Sequence, residues 1–107
     1  SESSALIRER VIAAREKQLL RFQNTRKIRT NAEMNSEQVK QVCLLDSPSS
    51  NLLESAIEKL QLSARAHDRI LKMARTIADL AHSSTIQAKH LAEAITYRNL
   101  DRENWSG

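Results

Sequence analysis

The chain has 107 residues, of which 40% are apolar, 28% are charged and only 3% are aromatic. This balance is typical of one globular domain and excludes an intrinsically disordered chain. One Gly and one Pro leave almost no turn material for β-hairpins, so we expect an all-α fold, a small bundle of four to five helices.

Cysteine usage and hydropathy narrow the cellular location. The single cysteine, Cys43, cannot form a disulfide within the chain, which is typical of a reducing compartment. No apolar run approaches the roughly 20 residues that cross a bilayer, and no signal peptide is recognisable. We therefore expect a cytoplasmic protein. The chain begins at Ser1 rather than Met, which indicates a piece of a longer protein.

Positive charge is concentrated at the start of the chain. Residues 1–29 carry eight Lys and Arg against three Glu, a net charge of +5, whereas the remaining residues carry nine against ten. An anionic partner should therefore meet the first segment first. We take Arg8, Arg10 and Arg15 as candidates for contacts with nucleic acid, the alternative being an ordinary solvated helix face.

The first two helices are predicted from capping residues and apolar spacing. Ser3 or Ser4 can cap a helix that runs to about Phe22 or Arg26. The apolar stripe expected on it consists of Leu6, Ile7, Val11, Ala14, Leu19 and Phe22. Residues 24–35 lack periodicity and should form a connector. A capping box of Asn35 and Gln38 then predicts a short second helix, whose inward-facing residues are Val39, Val42 and Cys43.

Three further helices follow. Ser47 is the predicted cap of the third helix, with Pro48 in its first turn, and this helix is expected to end at Gln61 and Leu62. Ser63 caps a fourth helix over about residues 64–81, and a fifth covers about residues 87–99. Their apolar residues at helical spacing are Leu52, Leu53, Ala56, Ile57, Leu60, Ala66, Ile70, Met73, Ala74, Ile77, Ala78, Leu91, Ala94 and Ile95.

The motifs of independent catalysis are missing. The only glycine is Gly107, so neither a Walker A loop nor a dinucleotide-binding loop can exist in this chain. The three histidines, His67, His82 and His90, are not spaced with Cys43 or with carboxylates as metal ligands would be. We therefore expect no metal site and no enzymatic activity from this chain alone.

One arrangement suits an anionic ligand. Arg65 lies in the first turn of the helix that Ser63 caps, where unpaired backbone N–H groups and the positive end of the helix dipole favour an anion. A guanidinium adds a forked donor that matches phosphate. The alternative is that Arg65 and Arg69, four residues apart, form a solvated helix face.

Three ordered motifs resemble a known family. They are residues 8–15 (RERVIAAR), residues 62–80 (LSARAHDRILKMARTIADL) and residues 90–98 (HLAEAITYR). Together they resemble the C-terminal domain of magnesium-chelatase subunit I-like AAA+ ATPases, especially the competence protein ComM group. On this basis residues 1–102 form a Mg-chelatase-like helical (lid) domain, and residues 103–107 form a tail. One departure is Gln61, at a turn position where the family commonly has Gly.

The resemblance implies a role within a larger machine. The Walker motifs would lie outside this chain, and the whole protein would be a ring-forming ATPase that uses ATP with Mg²⁺. This chain would be its lid, with Arg65 as the sensor 2 arginine on the ATP phosphates and Arg69 in support. Its partners would be its own ATPase core, neighbouring subunits of the ring, and either DNA or a chelatase partner as the remodelled target, with DNA favoured.

Two other arginine-bearing features remain open. Arg75 precedes Asp79 by four residues and is expected to pair with it on the helix face. Residues 56–63 could also be the entry to a helix-turn-helix, with Arg65, His67 and Arg69 at the start of a recognition helix. Against that alternative, the fourth helix keeps its apolar stripe to Ala78, whereas a recognition helix is usually shorter and polar on its outer face.

Overall fold

The computed structural model describes residues 3–100, except for the side chain of Leu100. It contains α1 (Ser4–Arg21), a 3-10 turn (Asn31–Glu33), α2 (Ser36–Val42), α3 (Ser47–Leu60), α4 (Ala64–Leu80) and α5 (Ala88–Leu100). Within residues 3–100 there is no strand, only an isolated β-bridge between Leu45 and Ile86. The all-α prediction is confirmed. The predicted boundary between residues 102 and 103 lies outside the described residues.

Helix caps follow the sequence closely, with one correction. Ser3 caps α1, and Asn35 and Gln38 form the predicted capping box at the start of α2. The cap of α3 is Asp46 rather than Ser47, because its carboxylate accepts a hydrogen bond from the backbone N–H three residues on, at 2.8 Å. A carboxylate at this position also suits the positive end of the helix dipole.

The predicted apolar stripe of α1 is partly wrong. Leu6, Ile7 and Leu19 are about half exposed, at 52%, 47% and 52%. Ala14 and Phe22 are buried as predicted, but the residues between them on the inward face are polar. Gln18 and Arg21 turn inward because their side chains hydrogen-bond to partners in the 3-10 turn and α4.

α4 is the central helix of the domain. It packs against α1, the 3-10 turn, α2 and α5. Every residue from 66 to 80 is buried or half-buried, so only the first two residues of the helix are exposed. The buried apolar core around it consists of Phe22, Met34, Val39, Cys43, Leu53, Ile70, Leu71, Ala74, Ala78, Ile86, Leu91 and Ala94.

Candidate functional site

The turn before α4 determines where that helix begins. Gln61 has a left-handed backbone, with φ 52° and ψ 52°, and the Leu62 N–H donates to the Ile57 carbonyl at 3.1 Å. This is the pairing of a helix C-terminus that usually ends on glycine. Ser63 then caps α4 by accepting a hydrogen bond from the Ala66 N–H at 3.1 Å. The departure from glycine at Gln61 therefore leaves the turn intact.

Arg65 is the second residue of α4, and it is exposed. It lines a groove of about 1090 Å³ between the first half of α4, the 3-10 turn and the start of α2. Arg69 and Lys72 line the same groove, four and seven residues further along one helix face. We name these three residues the cationic row. The structure thus brings the two arginines predicted from the sequence together and adds Lys72, which sequence reasoning missed although its spacing pointed to it.

The rest of the groove combines apolar and polar surface. Its apolar lining comes from Ala32, Met34, Ala64 and Met73, and its neutral polar lining comes from Asn35, Ser36 and Thr76. Lys72 reaches across the groove, since its Nζ donates to the Ala32 carbonyl at 3.3 Å. The cationic row therefore stands beside an apolar strip, an arrangement that can hold a ligand with both anionic and apolar parts.

One carboxylate, that of Asp68, lies among the residues of the cationic row on the same part of α4. Its Oδ2 accepts a hydrogen bond from the Ser36 hydroxyl at 2.6 Å, and its Oδ1 lies 3.2 Å from His67 Nδ1. Burial alone would raise the pKa of Asp68, but the hydrogen bonds from Ser36 and His67 and the charge of Lys72 outweigh it and lower that pKa. Asp68 is therefore ionised at neutral pH.

A second, smaller cleft adjoins the groove. It measures about 510 Å³ and runs between α2 and the α3–α4 turn, beside His67 and Cys43. Burial raises the pKa of the Cys43 thiol to about 11, so the thiol stays protonated and unreactive at neutral pH. Among the described residues, no group of three or more His, Cys, Asp or Glu could hold a metal ion.

The far half of α4 carries a buried polar cluster that we call the Asp79 cluster. Arg21 of α1 makes two hydrogen bonds of 2.8 Å to the carboxylate of Asp79, and the Asn31 amide donates a third at 2.9 Å. Gln18 accepts from the Asn31 backbone N–H at 2.8 Å. Arg75 completes the cluster at 3.2 Å from Asp79. The cluster therefore fastens α1, the 3-10 turn and α4 to one another.

The predicted pair of Arg75 and Asp79 is confirmed, but it is not on the surface. The side chains are 5% and 0% exposed, and Arg75 also donates to the carbonyls of Ser83 and Ser84. Burial would raise the pKa of Asp79, yet the hydrogen bonds from Arg21 and Asn31 outweigh it and lower that pKa. Sequence reasoning missed Arg21 here, although its helical register with Ala14 and Gln18 was a usable signal.

His90 is a packed helix residue. It is 3% exposed, and its Nδ1 accepts a hydrogen bond from the Gln87 backbone N–H at 3.0 Å, just ahead of α5. This is the reciprocal arm of a capping box, with an imidazole in place of the usual Glu or Gln. Burial, followed by the charges of Lys89 and Arg75, lowers the pKa of His90. His90 therefore serves the fold.

The candidate nucleic-acid residues lie apart from the groove. Arg8 and Arg15 are exposed on α1, and Arg10 is half-buried there. None of the three lines the groove. Arg21, counted in the same basic segment, is engaged by Asp79 and contributes little positive charge to the surface. The basic segment and the cationic row are thus two separate surfaces.

The burial of α4 does not favour the helix-turn-helix alternative. A recognition helix enters the major groove of DNA and therefore needs an exposed face. Beyond its second residue, α4 has no exposed residue within residues 66–80. His67 and Arg69, two of the proposed base-reading residues, are half-buried.

Comparisons with known proteins identify the family. The model of the family described as magnesium chelatase, subunit ChlI C-terminal, matches residues 1–98. The chain belongs to this family. Over 101 residues it is 46% identical to the protein YifB of Escherichia coli (strain K12) and 44% identical to the competence protein ComM of Haemophilus influenzae. Each match covers 94% of this chain but only 19% of the relative.

These relatives fix the coarse assignment. The chain spans about a fifth of their length and is a C-terminal domain of a magnesium-chelatase-like AAA+ protein, as the three motifs predicted. A mycobacterial relative, Rv2897c of Mycobacterium tuberculosis, is 32% identical over 97 residues. Among residues 3–100, no helix combines the length and the hydropathy needed to cross a lipid bilayer.

Proposed function

We propose that this domain is the lid of an ATP-hydrolysing AAA+ ring and that Arg65 is its sensor 2 arginine, which contacts the phosphates of ATP bound by the rest of the protein. The observation that carries the proposal is the exposure of Arg65 in the first turn of α4, at the edge of a groove that also holds Arg69 and Lys72. Three cations against one carboxylate favour a polyanion.

The local structure supports phosphate as the group recognised. The first N–H groups of an α-helix have no carbonyl partner within the helix, and in α4 the Ser63 side chain engages one of them, that of Ala66. The others lie at the positive end of the helix dipole. The guanidinium of Arg65 adds two parallel donors. When bound, ATP with Mg²⁺ supplies the phosphoryl group that is transferred. The residues of this domain bind and orient its phosphates, with Arg69 in support of Arg65.

The Asp79 cluster provides a connection through which a movement of α4 at Arg65 would be transmitted to α1. It joins α1 to α4 through two charge-assisted hydrogen bonds from Arg21, and such bonds are stronger than neutral ones. A pull on Arg65 would therefore move α1 and α4 as one body rather than bend α4 alone. In this proposal the lid transmits the state of the nucleotide to the ATPase core and to neighbouring subunits of the ring.

The test is Arg65→Ala in the full-length ATPase. Turnover should fall at least about tenfold, equivalent to roughly 1.4 kcal/mol of lost transition-state stabilisation. Arg65→Lys should rescue poorly, because a point charge cannot reproduce the fork. ATP hydrolysis and nucleotide affinity are the measurements.

The matched control is Arg26→Ala. Arg26 is exposed in the connector after α1 and lies outside the groove. Arg98, an otherwise natural choice on the last helix, is half-buried with its Nε enclosed, so its removal would also disturb packing. If Arg65→Ala hydrolyses ATP as fast as Arg26→Ala and binds nucleotide equally well, Arg65 is not a sensor.

DNA is the target that we propose for the motor, and α1 is the surface that would meet it. Arg8 and Arg15 are exposed, and their charges are not cancelled by the Asp79 cluster. Binding of the domain to duplex DNA should not depend on the DNA sequence. A plot of the logarithm of the association constant against the logarithm of the salt concentration should fall with a slope of about 0.9 per phosphate contacted.

The DNA proposal is tested by a charge reversal. Arg8→Glu with Arg15→Glu should weaken duplex binding, measured by fluorescence anisotropy, and reduce the salt slope by about two. Lys59→Glu with Lys40→Glu is the control, because both lysines are exposed on other helices. Tight binding that distinguishes one duplex sequence from another at physiological salt would instead support the helix-turn-helix alternative.

A further inference from the structure

The groove contains one charge that does not suit an anion. Among the residues that line it, Asp68 is the only acid, and it lies between Arg65 and Lys72 on the same stretch of α4. Residues three and four apart on a helix are neighbours, so Asp68 is adjacent to both cations. A phosphate drawn to the cationic row must therefore approach a fixed carboxylate.

Asp68 is held in this position from both sides. The Ser36 hydroxyl, at the start of α2, donates to one carboxylate oxygen at 2.6 Å, and His67 lies 3.2 Å from the other. Lys72 is tethered as well, through its 3.3 Å hydrogen bond to the Ala32 carbonyl. The carboxylate cannot turn away from the groove without losing the bond that joins α2 to α4.

We infer that Asp68 is a built-in counter-charge that sets how tightly the groove holds a polyanion, by competing with the ligand for Arg65, Arg69 and Lys72. The inference rests on the proposed function and adds its regulation: the contact between lid and phosphates is kept weak enough to be released in each cycle. Because repulsion between Asp68 and a ligand grows with the charge of the ligand, Asp68 weakens a triphosphate more than a monophosphate.

Asp68→Asn tests the inference directly, because asparagine keeps an acceptor for Ser36 and removes the charge. The 107-residue chain is titrated with sodium tripolyphosphate and with orthophosphate at low ionic strength, and binding is followed by NMR chemical shifts. Asp68→Asn should raise the affinity for tripolyphosphate about threefold to tenfold and that for orthophosphate less, and the gain should shrink as salt is added. The NMR spectrum used for the titration also shows whether the variant keeps its fold.

Two further variants separate the possible outcomes. Glu54→Gln removes an equal charge from an exposed position on α3, outside the groove, and should change the affinity less than about twofold, since screening weakens distant charges. An equal gain from Glu54→Gln and Asp68→Asn overturns the inference, because net charge alone would then explain it. If Arg65→Ala abolishes binding but Asp68→Asn leaves it unchanged, the inference fails and the proposed function stands. If no variant binds either phosphate, the groove does not hold an anion by itself and the inference fails, whereas the proposed function is decided separately by Arg65→Ala in the full-length ATPase.

Discussion

The two halves of α4 use the same chemistry in opposite ways. In the first half, Arg65 and Asp68 stand at a groove and are reachable from outside. In the second half, Arg75 and Asp79 are 5% and 0% exposed and are bonded to three other segments of the chain. The spacing of arginine and aspartate along the helix is nearly the same, three residues against four.

The difference teaches that partners, rather than residue type, decide the role. A buried carboxylate must have its lone pairs filled, and Asp79 receives donors from Arg21, Asn31 and Arg75. Arg21 and Arg75 therefore stabilise the fold. Arg65 has the same guanidinium, but its exposure at a helix start leaves it able to meet a ligand. The candidate site therefore lies at the end of α4 where an arginine is exposed.

Asp79→Ala should have the largest effect on stability and would sharpen this comparison. Removing the carboxylate leaves the cationic Arg75 buried without its counter-charge and Arg21 without two hydrogen bonds. Breaking a buried pair in this way costs about 3 to 5 kcal/mol. The free energy of unfolding, measured by urea denaturation, should fall by that amount, or the chain should fail to fold.

The comparison variant is Asp68→Ala in the first half of the helix. Asp68 makes one hydrogen bond to Ser36 and one contact to His67, both in partly exposed surroundings. Its loss should cost no more than about 1.5 kcal/mol. Equal losses from Asp68→Ala and Asp79→Ala would show that the two halves of α4 do not differ as described.

The helices and their caps could be predicted from the sequence, but the Asp79 cluster could not. Helix periodicity and short-range caps predicted five helices and the start of α4 at Ser63, because these signals are local. The inward turn of Gln18 and Arg21 depends on Asn31 and Asp79, which are distant in the chain. Polar residues on a helix are ordinarily assigned to solvent, so apolar spacing predicts Leu19 inside, where it is 52% exposed, and gives no sign that Arg21 turns inward. The role of Arg65 rests on resemblance, since no local pattern names a ligand.

His90 extends the comparison to pH, because it is a buried ionisable group. Its pKa is lowered by burial, so the unfolded chain, with a histidine pKa near 6.5, binds a proton more readily than the folded one. Stability is therefore full above the unfolded pKa and is lost as pH falls through the folded pKa. Protonation of Nδ1 also removes its bond to the Gln87 N–H, worth about 1 kcal/mol.

The measurement is the free energy of unfolding at pH 7.5 and pH 5, for the wild type and for His90→Gln. Glutamine keeps an acceptor for the Gln87 N–H, as Gln38 does for Asn35 in α2, but it does not titrate in this range. The wild type should lose about 1 kcal/mol between the two pH values, and the variant should lose clearly less. An equal loss in both proteins would mean that another group is responsible.

Gln61→Gly, in the turn before α4, should have the smallest effect, a gain of about 0.5 to 1 kcal/mol in the free energy of unfolding. Gln61 has a left-handed backbone, with φ 52°. This conformation costs a residue with a Cβ about 1 to 2 kcal/mol, whereas glycine adopts it without a steric cost. Glycine loses more backbone entropy on folding, which offsets part of the gain. Glu58→Gly, on an exposed position of the same helix, is the control and should instead destabilise by about 0.5 to 1 kcal/mol. Because Ser63 still caps α4, the gain should leave the binding of tripolyphosphate at Arg65 unchanged. Urea denaturation of both variants measures the difference. A loss of stability from Gln61→Gly would show that the Gln61 side chain makes a stabilising contact, and a change in tripolyphosphate affinity would show that the turn positions the cationic row.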